Sequence, residues 1–125
     1  HYDNQVGMMA IWQGRYEALD GKTVEGPSIA DLAAAKAPEA KARVDQRMAE
    51  TLARLQAVKD AADSGRMAYD QMLAPDNPEG NALLQAAIDA LVAQTRAVEE
   101  VVAALDLEIE VEGSDSLDNP DAVAP

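Results

Sequence analysis

Hydrophobic and polar positions in this chain recur at helical spacing over most of its length. Between Asn81 and Leu107, Leu84, Ile88, Leu91, Thr95, Val98, Val102 and Leu105 fall alternately four and three apart. That is the seam of a helix packed lengthwise on other helices. Leu83, Ala87 and Val101 widen the stripe to the breadth a bundle core needs. Asn77 is placed to cap this helix, with Pro78 at its first position, where a missing N–H costs nothing.

A second long helix is expected from about Pro38 to Ala62, with Val44, Met48, Leu52, Leu55 and Val58 or Lys59 on its inner side. Its other face mixes Glu39, Lys41, Arg43, Asp45, Arg47, Glu50, Arg54 and Lys59, the charge pattern of a solvated surface. A first helix is expected from roughly Asn4 to Leu19, with Met8, Trp12, Tyr16 and Leu19 on one side. Gly7 and Gly14 weaken it by about 1 kcal/mol each relative to alanine and suggest close approach of another backbone. The Met8–Trp12–Tyr16 strip is expected to lie against another chain or to be hidden by self-association, because such strips rarely stay uncovered.

Turn residues separate these elements. Asp20-Gly21 ends the first helix, and Gly26-Pro27-Ser28 leads into a short helix from Ile29 to about Ala35. Ser28 is its expected N-cap, with Asp31 completing an imperfect capping box. Ser64-Gly65 breaks the second long helix, and Arg66–Leu73 has room for one or two helical turns before Pro75-Asp76-Asn77-Pro78. The expected architecture is an all-α, up-and-down bundle over residues 1–107, with about three long helices and one or two short ones. Residues 108–125 are expected to form an acidic extended or flexible tail. Leu107-Glu108-Ile109-Glu110-Val111-Glu112 alternates like a strand, but a lone strand has no sheet to join.

Composition narrows the picture. Apolar residues make up 48% of the chain, but aromatics only 3%, with no phenylalanine. Small side chains at this density suit close-packed helices rather than a sheet. A net charge of −13 argues against nucleic acid and anionic membrane surfaces, since both gain affinity from basic protein. No stretch approaches the roughly 20 apolar residues that span a bilayer. With no cysteine, disulfides, zinc knuckles and thiol chemistry are excluded for this chain.

Candidate chemistry is sparse. His1, the only histidine, and Asp3 are of ligand type for iron, zinc or copper. Residues two apart point to different sides of a helix, so they could share a metal only from an extended lead-in. Glu99-Glu100 and the alternating glutamates at 108, 110 and 112 lack a desolvating pocket to separate their pKa values. The stretch GSDSLDNPD lacks the spacing of a calcium loop. There is no glycine-rich phosphate loop, and a serine–histidine pair would have to be built on His1.

HYDNQVGMMAIWQGRY, followed by DG, GPSIADL and NALLQAAIDALVAQTRAVEEVVAALDL, resembles the C-terminal half of imelysin-like proteins, the family that includes the iron-regulated protein A group. His1 and Asp3 match the end of that family's SDNTHxD-like segment, Gly14-Arg15-Tyr16 its GRY-like sequence, and Gly26–Leu32 its GPS(L/I)xDL turn. The resemblance covers roughly residues 1–107 and implies an extracytoplasmic protein of two bundle-like halves, periplasmic or outer-membrane-associated, whose precursor carries a signal peptide. It implies iron or zinc bound by the complete protein and a role in metal acquisition. His1 and Asp3 would be metal ligands, and Arg15 would be a cleft residue for an anionic group. The family's G-x-H-x-x-E signature is absent here. A metallopeptidase reading therefore needs a histidine and glutamate from an N-terminal half, which would also be the chain's partner. The remaining alternative is a free-standing helical interaction domain.

Overall fold

The computed structural model describes residues 1–107. Five helices and one small hairpin follow in order: α1 (Tyr2–Gln13), β1 (Arg15–Glu17), β2 (Thr23–Glu25), α2 (Ile29–Lys36), α3 (Pro38–Asp63), α4 (Tyr69–Met72) and α5 (Pro78–Ala104). The all-α bundle expected from the sequence is present. The alternating segment from residue 108 onward lies outside the described residues.

The frame is the antiparallel pair α3 and α5, each close to 40 Å long at 1.5 Å per residue. Local chemistry starts both. Pro38 and Pro78 occupy the first turns, and the Asn77 side chain accepts the Gly80 N–H at 2.9 Å. Thr51 Oγ1 donates to the Ala90 carbonyl at 3.1 Å across the pair, and Arg43 meets Glu100 near its other end. Helix α1 lies over the same seam. Gln5 reaches both the Met48 carbonyl and Gln94, while Trp12 further along meets Asp45. It therefore runs antiparallel to α3 and parallel to α5.

Short helix α2 closes the end of the bundle. Ser28 Oγ accepts the Asp31 N–H at 3.0 Å, and the Asp31 carboxylate accepts the Ser28 N–H at 3.1 Å. The imperfect box expected from the sequence is thus closed in both directions. Ala30 and Ala33 pack with Trp12, Ala40, Val44, Met48, Ala97, Val101 and Leu105 in the main core. A smaller core of Ala61, Met67 and Met72 sits under α4.

Three expectations are corrected. Helix α1 ends at Gln13 instead of continuing to Leu19. Gly14 takes the left-handed conformation (φ 62°) that halts the helix, and its N–H returns to the Ala10 and Ile11 carbonyls. The following residues pair as an antiparallel hairpin, with Arg15 opposite Glu25 and Tyr16 opposite Val24. Tyr16 is consequently taken off the helix that carries Met8 and Trp12, and the three form no continuous strip. Trp12 is 5% exposed in the core, whereas Met8 and Tyr16 are exposed on a helix and a strand. On α5 the buried line is Ala87, Ala90, Gln94, Ala97 and Val101, leading to Leu105; Ala87, Val101 and Leu105 of the expected stripe are buried, whereas Ile88 is exposed. Small side chains take the line of closest approach to α3, and larger aliphatic ones flank it.

Candidate functional site

Because α1 is only 12 residues long, it covers only part of the α3–α5 seam. Beyond its N-terminus the seam opens into a groove of about 490 Å³. Leu55 and Val58 of α3 and Leu84, Ala87, Ile88 and Leu91 of α5 form the walls, and Tyr69 and Leu73 close the far end. His1, Tyr2 and Asp3 stand at the near end.

The groove is aliphatic inside and charged at its mouth. His1, Asp3, Lys59 and Asp63 line it and are solvent-exposed. Lys59 forms an ion pair with Asp63 one turn along α3. The hydrogen bond that the Lys59 ammonium donates to Asp63, and the negative charge of Asp63, hold that ammonium above its ordinary range, with smaller contributions from Asp60 and Asp3. Asp3 lies in the first turn of α1, where a carboxylate complements the helix dipole. His1 is the N-cap residue, but its side chain makes no capping bond.

Arg15 is elsewhere. It starts β1, past the far end of α1 and about 18 Å along that helix from His1. There it pairs with Glu25 at 3.3 Å beside a second hollow formed with Gly7, Ala10, Ile11, Tyr16 and Val24. His1 and Asp3 are therefore brought together at one groove, and Arg15 is not. Among the described residues no group of three or more histidine, aspartate or glutamate side chains is arranged to hold a metal ion. His1 and Asp3 are only two ligand residues, so they do not make a metal site by themselves.

Sequence reasoning missed the groove walls. Leu84, Ile88 and Leu91 carry a visible signal, their helical spacing, but that spacing is equally the pattern of a seam core. Ile88 is 52% exposed.

The family model for imelysin, of the peptidase M75 class, matches residues 1–98, from α1 to within the last two turns of α5. The chain belongs to the imelysin family. No curated protein matched it in a sequence comparison. In this imelysin chain the matched span contains the hairpin, the α2 capping box and every residue lining the groove. No helix among its described residues is long and apolar enough to cross a membrane.

Proposed function

We propose that this imelysin-family chain is one half of an extracytoplasmic, two-bundle protein that works in the acquisition of iron or another metal. In this reading it contributes His1 and Asp3 to a cleft completed by the other half. The supporting observation is that the two residues matching the family's HxD segment both line the mouth of an aliphatic groove of about 490 Å³. Low-dielectric walls beside an imidazole and a carboxylate strengthen any charge interaction made there.

The chain's own donors are too few for a resident metal, and the reading assigns them a partial role. The His1 imidazole would give one nitrogen and the Asp3 carboxylate one or two oxygens, with the remaining donors coming from the other half. Arg15, at the opposite end of α1, would serve a separate part of the shared surface, where its pairing with Glu25 holds it in place.

Two measurements test this reading. The intact mass of the protein isolated from its source shows whether residues beyond this chain are present; a mass equal to this chain alone overturns the half-protein reading. Metal content and iron or zinc titration of that protein are then compared with its His1→Ala and Asp3→Ala variants. The expected result is at least tenfold weaker binding in each variant. Unchanged affinity in both removes His1 and Asp3 from the site. Chelator-sensitive peptide cleavage would redirect the reading from acquisition to hydrolysis.

A further inference from the structure

Helix α1 is held in the trough between α3 and α5, where Gln5 bonds to both walls. The same trough continues past His1 for about another 10 Å, from Leu55 to Ala62 on α3 and from Leu84 to Leu91 on α5. We propose that this open stretch seats an amphipathic helix from the other half of the protein, with about two turns of its apolar face over Leu55, Leu84, Ile88 and Leu91. The proposal rests on the half-protein reading given above.

Three observations favour that occupant. The groove is continuous with a seat that already holds a helix, and its walls are the same two helices. Two helical turns present three to four apolar side chains on one face, which suits an aliphatic trough of about 490 Å³. The charged groups lining it are solvent-exposed, and among the described residues no buried side-chain polar atom lacks a partner. A small polar ligand would therefore find little to orient it.

Charge argues against a second copy of this chain in the groove. Each copy carries −13, and like charges of that size oppose close self-association. A helix of different sequence, with neutral or basic flanks, meets no such barrier beside Asp3 and Asp63.

The chain has no cysteine, so a single introduced thiol is unambiguous. Ile88→Cys, and separately Leu73→Cys, would be made in the full protein and in the 125-residue chain. Ala53→Cys, on the exposed side of α3, is the control. Alkylation at positions 88 and 73 is expected to be at least tenfold slower in the full protein, with position 53 equal in both. A benzophenone attached at position 88 of the full protein is expected to cross-link residues outside this chain, spaced three or four apart. Equal alkylation rates, or cross-links confined to residues 1–125, overturn the proposal. Slow alkylation already in the short chain also overturns it, since a second copy then fills the groove. Intact mass separates the two failures. A source protein no longer than this chain ends the half-protein reading, whereas a longer one with a reactive position 88 ends only the docking proposal.

Discussion

Gln5 and Gln94 are 89 residues apart and bond to each other in both directions inside the core. Gln5 Nε2 donates to Gln94 Oε1 at 2.7 Å, and Gln94 Nε2 donates to Gln5 Oε1 at 3.2 Å. Gln5 is 1% exposed and also donates to the Met48 carbonyl at 3.3 Å. One amide pair thus fixes α1 on both long helices at a single register.

Gln5→Leu leaves the buried Gln94 amide without its partner, and Gln94→Leu leaves the Gln5 amide with the Met48 carbonyl alone. Gln5→Leu and Gln94→Leu should each destabilise the chain by about 1–3 kcal/mol. The double variant, with no orphaned amide, should be more stable than either single one. Urea midpoints of the four proteins test this; additive losses would mean that the amides do not depend on each other.

Gly80 and Gly7 should respond in opposite directions to alanine. A Cβ on Gly80 would lie 2.5 Å from the Met72 Cα and 2.9 Å from the Met67 sulfur, so α4 must move. Gly80→Ala is expected to cost about 1–3 kcal/mol. A Cβ on Gly7 meets nothing within 4 Å, and there alanine should stabilise α1 by up to about 1 kcal/mol. Melting temperatures that move the same way for both would refute the contrast.

Trp12 is the only tryptophan, and its indole N–H donates to Asp45 Oδ1 at 2.7 Å; Lys41 holds the other carboxylate oxygen. Asp45→Ala should leave the indole donor unpaired, costing about 1–2 kcal/mol, while Asp45→Asn retains an acceptor and should cost less. Tryptophan emission follows unfolding in each case. Equal losses for the two variants would show that the hydrogen bond is not the source.

In the hairpin turn, the Lys22 ammonium and then the Lys22 backbone N–H hold the Asp20 carboxyl below 3.8. A carboxyl whose folded value is depressed adds stability above its unfolded value, and that contribution is lost as pH falls through the folded value. Lys22→Ala should raise the Asp20 value toward 3.8 without restoring it fully, because the backbone donor remains. Carboxyl-carbon NMR titration reads this directly; an unshifted titration would refute the pairing.

The sequence by itself determined the features that arise within a few residues of one another. Ser28 with Asp31, Asn77 with Pro78, and the breaks at Ser64-Gly65 and Pro75–Pro78 set helix ends by local hydrogen bonding and backbone restriction, and they stand where the sequence placed them. His1 and Asp3 were legible as a histidine and a carboxylate two residues apart; that both line a groove walled by Leu55, Ile88 and Leu91 was not. Tertiary structure decided what depends on distant partners. Tyr16 and Leu19 fit helical spacing, yet Gly14 turns the chain where Gly26 and Ser28 pack against it, with a Gly26 N–H to Gly14 carbonyl bond at 2.9 Å. Ile88 has the size of a core residue, but the buried line of α5 runs through Ala87, Ala90, Gln94, Ala97 and Val101, and which of the apolar positions faces α3 and α1 is set by how the helices are rotated against one another. The groove exists for the same reason that spacing could not reveal it: α1 covers part of a seam whose length belongs to two other helices.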